Sequence, residues 1–345
     1  MYRWLRKAPA SVAHSGAAAP APSAAAEENG ASTEDAPYST EATEAVLADC
    51  LKLAFGVARF DYNIIGEHAA VLERVSVTAA QSVHQREYFP RRPMLLPKLL
   101  QALNDSESTR QELVRLILED PSLAGSVLQR ANNAFYRLSP EPVDSLDRAV
   151  VVLGTEGLRS LMATAILQPV FRLPKGYFDK FATITWEQAQ RSAIAAETYA
   201  KSTNSADPFV AQLLGLLSAL ARIVLFRVTM EMYRERPNLL PRAEVFIRSV
   251  QAHGAHLAGL IASTWELSDP SLAALAEQSS QRPPAAMSAL GRAVYFGDLC
   301  GALALLEARG AYSADGTHAT LMAQGLDRDT AHALRHAAMS VGREE

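Results

Sequence analysis

The chain has 345 residues, and its 33 lysines and arginines against 37 aspartates and glutamates give a formal net charge of −4. This balance creates no overall attraction to nucleic acids or anionic membranes, which argues against a dedicated nucleic-acid-binding protein. Two cysteines, Cys50 and Cys300, are too few for a disulfide framework or a four-cysteine zinc site, and they fit a cytoplasmic protein.

Alanine, the strongest helix former, makes up about one residue in six, which favours an all-α protein. Residues 8–41 are rich in Ala, Pro, Ser and Glu and contain almost no large apolar side chain, so we expect residues 1–41 to form a disordered tail. The first seven residues are basic but lack the apolar region of a secretory signal. No uninterrupted apolar stretch reaches the length of a membrane span, so we expect no stable membrane insertion.

A helical prefix is predicted over residues 42–90. Apolar residues recur at three- and four-residue steps from Val46 to Val57, which is the pattern of one helix face. A second helix is predicted from Ile64 to Ser82. Its predicted buried face consists of Ile65, Ala69, Leu72, Val75 and Ala79. The prolines and charges of residues 86–93 break the pattern and mark the boundary to the next domain.

Helix signals continue densely from residue 95 to residue 167. Asp120-Pro121 is typical of a helix start, because proline at the first helical position loses no hydrogen bond. Gly154 separates two short predicted helices, 144–152 and 155–166. No segment alternates apolar and polar residues over the length of a strand, so we expect almost no β-sheet.

A second helical block follows a linker at residues 169–182. Its predicted helices are 186–200, 208–233, 242–265 and 270–278. A C-terminal extension, residues 286–345, holds two more predicted helices, 287–309 and 327–341. Asp329 or Thr330 is the expected cap of the last helix.

Several ordered motifs in the first block carry a family resemblance. They are Leu96-Pro97, Asp120-Pro121, the run LQRANNAFY at 128–136, the run SLDRAVVVLG at 145–154, and Leu158-Arg159. Together they resemble the first lobe of the HDOD (HD-related output domain) family of bacterial signalling modules. The resemblance implies a two-lobed helical bundle over residues 91–285, with a first lobe at 91–168. It also implies an HD-like lobe at 183–285, related to the HD metal-dependent phosphohydrolases.

The resemblance also identifies where an active HD enzyme has its metal ligands, which are histidines and aspartates that hold a metal and activate water. The helix at 212–225 resembles the HD helix, but Ser218 and Ala219 stand at the His-Asp positions. Gln188 stands where many relatives have a histidine, and Gln278-Ser279 replaces a frequent His-His pair. Alanine has no ligand atom and a neutral serine hydroxyl is a poor one. We therefore expect no metal, no cofactor and no catalytic residue.

Other polar residues are candidates for a pocket that binds a ligand or a partner. In the first lobe these are Asn132, Asn133, Phe135, Tyr136 and Arg159. The alternative is structural, with Asn132 satisfying buried backbone groups and the aromatic side chains filling the core. In the second lobe the candidates are Ser218, Arg222, His253 and His256. The two histidines, three residues apart, are either a metal-chelating pair or pocket-lining residues.

The favoured function is a non-catalytic cytoplasmic signalling module that acts through protein partners. The resemblance implies a role downstream of bacterial sensory systems. Two alternatives stay open: a residual HD-type phosphohydrolase that uses displaced ligands such as His253 and His256, and a nucleotide sensor that uses the former catalytic cleft.

Overall fold

The computed structural model describes residues 40–81, 90, 92–98, 110–119, 121–132, 142–143, 145–173, 176–279 and 282–341. Every regular element in these ranges is a helix, which confirms the all-α prediction. The predicted disordered tail lies outside the described residues except for its last two, which already belong to the first helix.

The prefix contributes two helices, α1 (Thr40–Phe55) and α2 (Glu67–Gln81). The predicted face of α1 is correct, because Val46, Cys50 and Ala54 are all buried. The predicted face of α2 is partly wrong. Val71 is buried at 0% exposure, whereas Ile65 precedes the helix and is 67% exposed.

The first lobe contains α3 (Arg110–Leu118), α4 (Pro121–Ala131), α5 (Leu146–Leu167) and a 3-10 turn (Gln168–Phe171). Gly154 breaks α5 with φ 67° and ψ 174°, a conformation that glycine adopts without steric cost. The two helical segments on either side are bent by 115°. The two short helices predicted around Gly154 are therefore confirmed.

Four helices form the second lobe: α6 (Phe181–Thr203), α7 (Pro208–Arg234), α8 (Ala243–Thr264) and α9 (Asp269–Glu277). Phe181 stacks on Phe226 with ring centroids 4.5 Å apart, and Phe226 stacks on Phe246 at 5.1 Å. Phe55 of α1 joins this cluster, 4.8 Å from Phe181. The prefix is thus part of the core of the second lobe.

The lobes meet through a buried glutamine. Gln212 of α7 is 1% exposed, and its Nε2 donates to the carbonyl oxygen of Ser160 at 2.9 Å and to the Ser160 hydroxyl at 2.7 Å. The same hydroxyl donates to Glu197 of α6 at 3.0 Å. These bonds join the second half of α5 to both central helices of the second lobe.

A 3-10 turn (Pro284–Ala286) leads into the C-terminal extension, which contains α10 (Ala289–Ala308), α11 (Ala314–Ala323) and α12 (Arg328–Ser340). The sequence pattern missed α11. The cap of α12 is Asp327 rather than Asp329 or Thr330, because its side chain accepts from the backbone N–H of Thr330 at 2.8 Å.

Helix α10 lies unusually close to α6. A β-carbon at Gly301 would lie 2.6 Å from Cα of Ser192, and one at Gly297 would lie 2.6 Å from Cβ of Ala196. Only glycine at these two positions permits this backbone approach.

The expectation of no stable membrane insertion stays a prediction, because a helix with polar or charged interruptions can still be long and apolar enough to span a membrane. Among the helices that the structure describes, α7 and α10 meet this condition by length and composition, and the bent α5 region is a third if it counts as one span. Within their most apolar windows, 83% of α7 and 72% of α10 is buried inside the protein. Central helices of a large bundle are apolar on all sides because they are surrounded by other helices.

Candidate functional site

A cleft of about 640 Å³ lies in the second lobe, bordered by α1 and by α6 to α10. Four of the five positions at which the resemblance implies lost metal ligands line it: Gln188, Ser218, Gln278 and Ser279. The fifth, Ala219, is 1% exposed and packs in the core instead. Residues on α6, on α7 and just after the end of α9 thus come together as the resemblance implies.

These residues do not fit a divalent metal. The Ser218 hydroxyl donates to the carbonyl oxygen of Leu214 at 3.1 Å, and Ser279 donates to that of Ala276 at 2.7 Å. Nε2 of Gln278 donates to the carbonyl oxygens of Ala274 and Gly291. All three side chains are neutral, and their protons are directed at the backbone. Among the described residues no group of three or more His, Cys, Asp or Glu side chains is placed to hold a metal.

An ion pair crosses the interior of the cleft. Nη2 of Arg222 (α7) lies 2.6 Å from Oδ2 of Asp298 (α10), and these side chains are only 11% and 21% exposed. Asp298 also accepts hydrogen bonds from Gln188 Nε2 at 3.4 Å and from the Ser192 hydroxyl at 3.3 Å. A guanidinium cation and a carboxylate that it neutralises therefore lie beside the former ligand positions.

Sequence reasoning missed Asp298. It had one available signal, since Asp298 is the single acidic residue between Tyr295 and Leu306 in an otherwise apolar helix. A lone charge on such a helix needs a partner when the helix is buried. Nothing in the sequence identified that partner as Arg222, 76 residues away.

The structure separates the two histidines of the second lobe. His256 is exposed and lines the cleft. His253 points elsewhere, with Nε2 3.0 Å from the hydroxyl of Ser76 on α2. Burial lowers the pKa of His253, and the nearby His256 lowers it further. His253 thus contacts the prefix rather than a site shared with His256.

Of the first-lobe candidates, Asn132 and Arg159 fall within the described residues, and neither lines the cleft. The Asn132 side chain accepts from the backbone N–H of Val143 and donates to the carbonyl oxygen of the same residue, each at 2.7 Å. This is the structural role that satisfies buried backbone groups. Arg159 lies on α5, and Asn133, Phe135 and Tyr136 lie outside the described residues.

Helix α1 forms one wall of the cleft, a role that the sequence did not suggest. Thr43, Glu44, Leu47, Ala48 and Leu51 line it. The Thr43 hydroxyl lies 2.8 Å from that of Tyr295 on α10. The prefix and the extension therefore complete the cleft together.

Comparison with known proteins agrees with this architecture. The sequence profile of the HDOD domain matches residues 89–281. An HDOD domain protein of unknown function from Geobacter sulfurreducens is 18% identical with a TM-score of 0.54, covering 79% of this chain and 99% of its own. A proposed phosphohydrolase from Shewanella amazonensis SB2B is 21% identical with a TM-score of 0.52, covering 80% and 98%. No curated protein matches the chain.

The profile spans more than half of the chain and contains α3 to α9 together with all the former ligand positions, whereas α1 and Asp298 lie outside it. At these identities the two solved structures support the fold alone. On the profile match and the helical architecture together, the chain belongs to the HDOD domain family.

Proposed function

We propose that this protein is a non-catalytic cytoplasmic regulatory module in a bacterial signalling pathway, and that it acts through protein contacts. The observation that carries the proposal is the ion pair between Arg222 and Asp298, inside the cleft where an HD hydrolase has its metal.

The charge balance of the cleft supports the absence of hydrolysis. Metal-dependent hydrolysis needs several anionic or imidazole ligands around a divalent ion. Here the carboxylate of Asp298 is already neutralised by Arg222, and the guanidinium repels a second cation placed nearby. The alternative of displaced histidine ligands loses support because His253 contacts Ser76.

Metal analysis and a phosphohydrolase assay on the full chain test the catalytic side of the proposal. After incubation with manganese or iron and desalting, we expect no near-stoichiometric metal and no hydrolysis of a phosphodiester probe. Metal that is retained by the wild type and lost on His256→Ala contradicts the proposal.

Crosslinking and affinity capture test the protein contact. Arg248 is exposed at the rim of the cleft, with its guanidinium 4.8 Å from the ring centroid of Tyr62. Arg234, whose side chain is 71% exposed, provides a control of the same residue type outside the cleft. We expect a partner that wild type and Arg234→Glu retain and that Arg248→Glu loses. Equal capture by all three proteins, or background alone, contradicts a contact at the cleft.

A further inference from the structure

The hydrogen bonding of the ion pair is unequal on its two sides. The Asp298 carboxylate accepts from three side chains, on Arg222, Gln188 and Ser192. The Arg222 guanidinium has five N–H donors, and within the described residues it donates to a single acceptor, Asp298. The carboxylate is thus well satisfied, whereas the guanidinium keeps donors available inside the cleft.

Three other polar side chains that line the cleft already donate hydrogen bonds within the protein. Ser218, Ser279 and Gln278 direct their protons at backbone carbonyls. Arg222 is therefore the strongest donor in the interior of the cleft, and a guanidinium is suited to carboxylate and phosphate groups.

The wall of the cleft also has an apolar part. Leu47 and Leu51 approach from α1, and Val294 and Leu299 from α10. A volume of about 640 Å³ lies in the range of small-molecule sites, which combine an apolar surface with a few polar anchors.

We propose that this cleft binds a small organic anion, with its carboxylate or phosphate group bonded to Arg222 and its apolar body against Leu47, Leu51 and Leu299. Asp298 competes with the ligand for the guanidinium and so sets its affinity. The bound anion contacts the prefix, the family domain and the extension at once, because all three line the cleft.

Isothermal titration of the full chain tests the ligand class. The probes are benzoate, phenyl phosphate, neutral benzamide and inorganic phosphate. We expect at least one of the two aromatic anions to bind, and benzamide and inorganic phosphate to bind at least about tenfold more weakly. The better of the two anions distinguishes a carboxylate from a phosphate ligand. No binding of either anion, or equal binding of benzamide, overturns the proposal.

Two substitutions at the ion pair should change the affinity for the anion in opposite directions. Arg222→Met removes the anchor and weakens anion binding at least about tenfold, whereas Asp298→Asn removes the competing charge and strengthens it by about tenfold. Arg234→Met, on the same helix but outside the cleft, leaves the affinity unchanged. If the ion pair has only a structural role, its loss in either variant changes the affinity for the anion in the same direction. Weaker or unchanged binding by Asp298→Asn therefore overturns the proposal. The measurement on Asp298→Asn tests the proposal even if Arg222→Met fails to fold.

Discussion

Nη2 of Arg222 lies 2.6 Å from Oδ2 of Asp298, and this ion pair joins α7, which belongs to the HDOD domain, to α10, which lies outside it. The extension is thus part of the cleft and not an independent appendage. The pair is mostly withdrawn from solvent, so its two charges depend on one another.

Removal of one partner of this ion pair should lower the stability of the folded protein. We expect Arg222→Met to lower the free energy of unfolding by about 2 kcal/mol, less than the ~3–5 kcal/mol of a fully buried pair because Asp298 retains some exposure. Urea unfolding followed by circular dichroism measures the change. The double variant Arg222→Met/Asp298→Leu should recover most of the loss, since it leaves no unpaired charge. A single variant as stable as wild type contradicts this account.

The close contact of α10 and α6 predicts a steric effect at Gly301. The β-carbon of Gly301→Ala meets the backbone of Ser192, which cannot move as a side chain can, so we expect a loss of about 1–3 kcal/mol. Gly259→Ala in α8 is the matched control, with no heavy atom within 4 Å of its β-carbon. It should instead stabilise the protein by about 0.5–1 kcal/mol. Equal effects of the two substitutions in thermal unfolding contradict the close approach.

Much of the helical architecture is predictable from local sequence signals. The start of α7 follows from Asp207-Pro208, where the Asp207 side chain caps the helix and Pro208 occupies its first turn. The bend of α5 follows from Gly154. Such features depend on residues close in sequence, and periodicity or turn chemistry reports them directly.

The errors have two physical causes, which are weak local signals and dependence on distant partners. Ile65 fits the helical period of α2, yet it lies before the helix and is exposed. Val71, which was not predicted to face the core, is buried instead. Helix α11 is short and holds Gly316 and two threonines, which have low helix propensity. The pairing of Asp298 with Arg222 is set by how α10 packs on the second lobe, and no local pattern contains that information.

The contact between the lobes should be sensitive to Gln212. Gln212→Ala removes the bonds to Ser160 and leaves a void, so we expect a loss of about 2–3 kcal/mol in unfolding free energy. Relative to wild type, the variant should lose more hydrogen-exchange protection in the second half of α5 than in α8. Gln251→Ala, at an exposed glutamine, should change stability by less than about 0.5 kcal/mol. Unchanged exchange in α5 contradicts a junction held by this side chain.

The ion pair of Glu307 and Arg335 predicts an acid-dependent attachment of α12 to α10. The hydrogen bond from Arg335 lowers the pKa of Glu307. A lowered folded-state pKa contributes stability above the unfolded value of about 4.3, and this contribution is lost as the pH falls through the folded-state value.

The matched variant is Arg335→Gln, which we expect to be about 1 kcal/mol less stable than wild type at pH 7 because the pair is only partly buried. The difference should shrink as the pH falls below the unfolded value of about 4.3 and through the lowered folded-state pKa of Glu307. Urea unfolding at pH 7, 5 and 3 measures it. A difference that stays constant with pH contradicts the assignment.

Helix α2 should be attached more weakly at mildly acidic pH, because two histidines with lowered pKa values hold it. His68 of α2 lies 2.8 Å from the Tyr233 hydroxyl, and His253 of α8 lies 3.0 Å from that of Ser76. Burial is the main cause in both, with further lowering by Arg242 at His68 and by His256 at His253. Near pH 6.5 and below, the unfolded chain therefore takes up protons more readily than the folded one.

The unfolding free energy should accordingly fall between pH 7.5 and pH 5.5. The double variant His68→Gln/His253→Gln keeps two hydrogen-bonding side chains that do not titrate, so its pH dependence over this interval should be flatter than that of wild type. Ser76→Ala keeps both histidines and should lower stability at every pH without flattening the profile. Urea unfolding across the interval measures all three proteins, and an equal slope in the double variant contradicts the role of these histidines.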